Sequence, residues 1–254
     1  MPGNSNGVGG VQLPLELHWD ANTPLPCRWV LPEYRKPRNL PQPGFRPPFD
    51  FSTAMRRLCE DIVSRCGVFA HIEMSRVLIS FTPSRNRSRY GLQARVTPLR
   101  FSSGSLTRRH GGTEYQVQRF FVDGREILYI LTFCLPRFLD QPFEDKLVTV
   151  FHELYHVNPE FDGDLRRHAG RYAIHSRSKR DYDRSMAALV REYLAGHPRP
   201  EVFSFLRLGY RELWEKQGGI HGIVVPRPKL LPIGRVSPRA AARRSPAVHD
   251  QVPA

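Results

Sequence analysis

Cysteine is scarce in this chain. Cys27, Cys59, Cys66 and Cys134 are the only four in 254 residues, with no CxxC pair and no close metal-ligand spacing. That excludes a disulfide scaffold and leaves buried free thiols in a reducing compartment as the expectation. Long apolar runs are missing as well, since none approaches the ~18 residues that a membrane span needs. The opening stretch MPGNSNGVGGVQLPLELHWD lacks a basic segment followed by an apolar one. No signal peptide is therefore expected, and the setting reads as cytoplasmic and without membrane contact. Lysine is nearly absent. Of 38 basic residues five are lysine, which leaves 33 arginines in a chain of net charge +14. Such an excess suits phosphate contact, because guanidinium grips phosphate in a bidentate way. A GC-rich genome produces the same excess. No zinc finger, helix-turn-helix or RNA-binding signature accompanies it.

The pattern along the chain divides it in three. Residues 1–48 are rich in Pro and Gly and have no sustained period, so they read as an arm. From residue 49 to 232 the periodicity is that of one domain. DFSTAMRRLCEDIVSRC places Phe51, Met55, Leu58, Ile62 and Val63 at helical spacing, with Asp50 or Ser52 as cap. SRVLISFTPS and RYGLQARVTPLRF read as strands, the second broken near Pro98. EYQVQRFFVDGREILYILTFC reads as a hairpin turning at Asp123-Gly124. A helix follows Pro136, with Asp140 as cap and Phe143, Leu147, Val150 or Phe151, and Leu154 on one face. It should stop near Asn158, ahead of Pro159. Further helices are expected over about Asp181–Ala195 and Pro200–Lys216. Residues 233–254 form a basic tail with little to pack, expected to be disordered.

The helix after Pro136 carries HELYH. His152 and His156 are four apart, so both imidazoles lie on one face where they can reach one metal ion. Glu153 sits beside them as a carboxylate able to take a proton from water without being a ligand. With 10 His and 13 Glu in the chain, about 0.02 chance HExxH matches are expected. A catalytic zinc needs a third protein ligand. NPEFDGD can turn the chain and DLRRHAGRY return it, which presents His168. His175, Asp162, Asp164 and Glu160 are the alternatives.

HELYH followed by HAGRY resembles the SprT-like zinc metallopeptidases. It resembles more closely the uncharacterised phage-type metallopeptidases of bacterial genomes, which show HELxH, then Pro, Asp-Gly and a further His. FAHIEMSRVLISF, GLQARVTPLRF and VVPRPKLLP extend the resemblance over about Asp50 to Pro232. Ala169 stands where SprT-like proteins carry glycine. The resemblance implies an α+β, zincin-like domain: an N-terminal helix, a small mostly antiparallel sheet, the HExxH helix and C-terminal helices. It also implies zinc (Zn2+) held by His152, His156 and His168, with Glu153 as base.

Other features read more plainly. His71, His110, His197 and His221 stand alone and suit a surface or core edge. Tyr155 and Tyr172 could polarise a scissile carbonyl, or could simply pack. RSKRDYDR (177–184) and RNRSRYG (85–91) are basic with an aromatic, as phosphate binding would use, though solvated loops look the same. The expected activity is peptide hydrolysis, with a strand of the Tyr115–Cys134 hairpin taking protein or peptide substrate by edge addition. The rival expectations are a nucleic-acid-associated protein, using the basic tail and Arg-rich loops, and an inactive metal-binding module.

Overall fold

The computed structural model describes residues 13–30, 47–84, 91–167 and 179–235, with side chains from 184 onward in the last stretch. Within them the chain is α+β. Strands β1 (Glu16–Trp19), β2 (Cys27–Trp29) and β3 (Phe49–Asp50) precede helix α1 (Phe51–Arg65). Strands β4 (Val77–Pro83), β5 (Ala94–Pro98), β6 (Thr107–His110), β7 (Thr113–Val117), β8 (Arg119–Val122), β9 (Arg125–Ile127) and β10 (Tyr129–Leu135) follow. Helices α2 (Phe143–Tyr155), α3 (Lys179–Ala195), α4 (Pro200–Phe203) and α5 (Tyr210–Gln217) come next, and β11 (Ile220–Ile223) and β12 (Leu230–Arg235) end the described chain.

The strands form small sheets in the orders β1-β8-β9, β4-β10-β5, β2-β11-β3 and β12-β7-β6. Most pairings are antiparallel; β1 with β8, β4 with β10 and β3 with β11 are parallel. The second sheet is the centre of the fold. Every residue of β10, YILTFCL, is buried, as a near-continuous apolar run must be when both faces of a strand are covered. Helix α1 packs with Phe51, Met55, Leu58 and Ile62 fully buried. Asp50 caps it, its Oδ1 accepting from the Thr53 N–H at 3.0 Å, because the first helical donors have no partner inside the helix.

The Asp123-Gly124 turn forms as its residues dictate. Both are left-handed, at φ 48° and 73°, the conformation of a two-residue hairpin turn. The hairpin is shorter than its sequence suggests and joins only β8 and β9. Leu128 is the reason. It is buried and its N–H donates to the Arg76 C=O, so the chain changes sheets there and β10 pairs with β4 and β5 instead.

Three other expectations change. The segment read as an arm supplies β1 and β2, and buries Trp19 and Val30. Arg119 fastens it by bridging Glu16 and Glu126, each at 2.6 Å. The run from Pro200 to Lys216 is not one helix but α4, a 3-10 turn at Ser204–Arg207, and α5. Lys146 on α2 is buried, and its Nζ donates to the carbonyls of Leu206 at 2.9 Å and Leu208 at 2.7 Å. Those carbonyls would otherwise serve a continuous helix. Asp140, expected to cap α2, instead accepts from the Tyr210 N–H at 3.0 Å and serves the start of α5. Among the described residues no helix is long and apolar enough to cross a membrane.

Candidate metal centre

Pro142 is the N-cap of helix α2, where its missing N–H costs nothing. Glu144 and Asp145 lie at its positive end. Leu147, Val150, Phe151 and Leu154 are fully buried and anchor it against the central sheet and α3. The last turn ends at Tyr155, with His156 as a C-cap still in helical conformation, somewhat before the Asn158 expected.

That geometry brings the two histidines together. Nε2 of His152 and Nε2 of His156 stand 2.9 Å apart, with the rings edge to face at 4.6 Å between centroids. At this distance one ring can donate to the other. The same convergence is what two ligands of one cation require: nitrogens about 2.0–2.1 Å from a tetrahedral zinc lie roughly 3.3 Å apart, which a small rotation of either ring supplies. The donor set suits zinc, for which imidazole is a common ligand.

Glu153 is buried. Its Oε2 accepts a 2.7 Å hydrogen bond from the backbone N–H of Val96 on β5. Burial pushes its pKa up to about 7, against the opposing effect of that hydrogen bond; a divalent cation beside it would also oppose the rise. Strand β5 is the edge of its sheet. In its register with β10, Pro98 stands opposite Tyr129 and Val96 opposite Leu131. Residues two apart direct their N–H groups to the same side, so Val96 donates outward, where Pro98 has no donor to lose. The edge next to the HELYH helix is thus β5. Within Tyr115–Cys134, where edge addition was expected, β7, β8 and β10 are each interior to their sheets and only β9 is an edge.

Beyond the helix the chain turns back. The isolated bridge Val157–Leu165 closes the loop, and the Arg166 N–H donates to the His156 C=O at 2.8 Å. Asp162 and Asp164 hold this turn. Asp162 Oδ1 accepts from Asn158 Nδ2 at 2.8 Å and from the Asp164 N–H at 3.0 Å. Asp164 pairs with Arg167 at 3.0 Å and accepts from the Ser103 and Leu165 N–H groups. Tyr129 fixes it from below: its hydroxyl accepts from the Gly163 N–H at 3.0 Å and donates to the Asp164 C=O at 2.8 Å. Gly163 has φ +88°, and a Cβ there would stand 2.5 Å from Arg100 Cγ, so only glycine fits. Glu160 is exposed.

His168, His175 and Tyr172 lie outside the described residues. Among the described residues no group of three His, Cys, Asp or Glu side chains could hold a metal ion. The two histidines of HELYH are therefore placed together, and the two acidic alternatives Asp162 and Asp164 are engaged in the turn. Tyr155 lies under the Arg166 guanidinium, 4.1 Å from its ring centroid. His71, read as a solitary histidine, packs beside this turn: burial, then the charge of Arg166, lower its pKa, while a hydrogen bond with the Val157 backbone opposes them. Val96 and Tyr129 were not singled out from the sequence. Val96 acts through its main chain, which no side-chain pattern reports, though Pro98 marks β5 as an edge. Tyr129 reads as one more aromatic in a buried strand. No protein-family model, curated protein or solved structure matches the chain.

Proposed function

We propose that the chain is a zinc-dependent peptidase of zincin-like build, with His152, His156 and His168 as ligands and Glu153 as general base. The observation that carries this reading is the convergence of the two Nε2 atoms to 2.9 Å on the last turn of a buried, well-anchored helix. His168 is favoured as third ligand because the chain has already returned to His156 at Arg166, and two further residues reach at most about 7 Å.

Bound zinc would supply Lewis acidity, lowering the pKa of water and polarising a carbonyl oxygen. The chain's own contribution is proton transfer. Glu153 has Oε2 fixed by the Val96 N–H, which leaves Oε1 to take a proton from the attacking water. As the C–O bond forms and the peptide C–N bond breaks, the same carboxyl gives that proton to the leaving amine. The substrate is then a protein or peptide. The four free cysteines favour a reducing, cytoplasmic setting.

Zinc quantitation tests the reading. Wild type should hold about one zinc per chain. His152→Ala, His156→Ala and His168→Ala should each lose it, and His175→Ala should retain it. Glu153→Gln should keep the metal, while cleavage of unfolded casein falls by about 10²–10⁴-fold. Full zinc in both His152→Ala and His156→Ala would remove the site.

A nucleic-acid role has one observation of its own. The β6-β7-β12 sheet exposes Arg108, Arg109, His110 and Arg235. Its one acid, Glu114, already accepts from the Thr107 hydroxyl. Of the loops and tail with that pattern, residues 85–90, 177–178 and 236–254 lie outside the described residues, while 179–184 begin α3 and 233–235 end β12. A salt titration of DNA binding by the Glu153→Gln protein separates this reading from peptide hydrolysis.

A further inference from the structure

One concave region shares no residue with the HELYH segment or its loop. It is a pocket of about 740 Å³ bounded by α1, the α4 region and α5. Its floor is apolar: Phe49, Phe205, Leu208 and Leu213 line it, with the two phenyl rings 5.3 Å apart. The rim is cationic. Arg57, Arg199, Arg207 and Lys216 stand around it against one acid, Glu201. Over the whole chain the ratio is 38 basic residues to 24 acidic, so four to one exceeds what the general positive charge would place there.

The cations are not equally committed. Arg207 lies over the rings of Phe143 and Phe203, at 4.5 and 5.7 Å from their centroids, and is held there as a cation–π partner. Arg57, Arg199 and Lys216 have no carboxylate partner among the described residues. They come from three separate parts of the chain and line one cavity, so an anion seated there would be attracted by all three. One wall is held from behind: Lys146 donates to the Leu206 and Leu208 carbonyls, and Leu208 lines the pocket.

We propose that this pocket binds a small organic anion, an apolar body of drug-like size carrying a carboxylate or phosphate head. The volume falls within the roughly 300–1,000 Å³ of small-molecule sites. The floor removes the apolar body from water, and the free guanidinium groups of Arg57 and Arg199 offer the bidentate donors that carboxylate and phosphate accept. This proposal is independent of the peptidase reading.

The test is isothermal titration of the full chain with dodecanoate, dodecyl phosphate and the neutral dodecanol. At least one anion should bind saturably, and about tenfold or more tightly than dodecanol; the tighter of the two identifies the head. Arg57→Gln with Arg199→Gln should weaken that binding about tenfold or more. An equal loss of charge elsewhere, Arg125→Gln with Arg227→Gln, should change it by less than about twofold. Lys216→Gln, on α5, repeats the test should the double variant fail to melt like wild type. Equal binding of dodecanol, an equal loss in the control pair, or no saturable binding of either anion overturns the proposal.

Discussion

Replacing Lys146 by methionine should make the stability of this protein respond differently to pH. Lys146 is buried, and burial lowers its pKa from an ordinary 10.5 to about 8, with Asp140 and Glu212 opposing the drop. The sign follows from linkage. Below about pH 8 the lysine is protonated in both the folded and the unfolded chain, and the full cost of burying its charge is present. Between about 8 and 10.5 the folded protein gives up the proton while the unfolded chain keeps it, so folding is increasingly favoured as pH rises. At 1.36 kcal/mol per pH unit, that interval caps the gain at about 3 kcal/mol. Wild type alone will not show it cleanly. Burial also raises the thiol pKa of Cys59 to about 12 and of Cys66 to about 11, and these groups lose stability as pH climbs through their ordinary 9.0. They are common to both proteins, so the difference between wild type and Lys146→Met isolates the lysine.

The magnitude at neutral pH is also set by the structure. Methionine avoids the buried charge but leaves the carbonyls of Leu206 and Leu208 without their donor, at about 1–3 kcal/mol each. That is close to the roughly 3 kcal/mol regained. The two proteins should therefore be of similar stability near pH 7, and wild type should pull ahead toward pH 10. Urea unfolding monitored by tryptophan fluorescence at about pH 7, 8.5 and 9.5 measures this. A difference that stays flat across the series would refute it, and would show that the two carbonyls keep Lys146 charged throughout.

Four further outcomes are expected. Tyr129→Phe strands the Gly163 N–H and the Asp164 C=O, and should lower urea stability by about 2–5 kcal/mol. Gly163→Ala forces a left-handed L-residue against Arg100, costing about 2–5 kcal/mol in the same assay; a neutral result would mean the loop can move aside. Val96→Pro removes the outward donor to Glu153 and a half-buried valine side chain but no ladder donor, so the β5–β10 ladder should persist by circular dichroism while stability falls by about 1.5–3 kcal/mol. Removal of residues 1–30 exposes what Trp19 and Val30 cover and takes from the Tyr210 hydroxyl its acceptor on Val30; at about 1.5–3 kcal/mol per buried side chain, the melting temperature should drop steeply.

What was legible in the sequence was local. The α1 cap at Asp50, the Asp123-Gly124 turn and the apolar face of α2 each depend on residues within one or two turns of each other, and each formed as read. The pairing of His152 and His156 is local in the same sense, since helix geometry alone sets it. The misreadings came from contacts distant in sequence. Lys146 acts on Leu206 and Leu208, some sixty residues on, and no propensity within Pro200–Lys216 announces a donor that takes its carbonyls. Asp140 looks like the cap of the nearest helix and serves one seventy residues away. The Pro- and Gly-rich start hid two strands because β1 and β2 are short and pair with β8 and β11, far down the chain. Glu153 stands out in the sequence as a candidate base, but its structural setting does not, because its partner is a backbone N–H on an edge strand.

The position of the histidines within α2 adds an electrostatic argument that the motif alone does not contain. A helix carries about half a negative charge at its C-terminal end, where the last carbonyls lack intrahelical donors. His152 lies in the last turn of α2 and His156 is its C-cap, so their convergent Nε2 atoms lie near that end. A cation bound there is favoured by the helix itself, and more so because the site is partly shielded from water. The opposite end carries Glu144 and Asp145, which complement the positive pole and would repel nothing that the centre needs. The carbonyl of His156 is taken up by the Arg166 N–H, so one of the last acceptors is used to bring the chain back toward α2. The same helix terminus thus favours a cation electrostatically and holds Arg166 through a hydrogen bond, two residues ahead of the proposed third ligand His168.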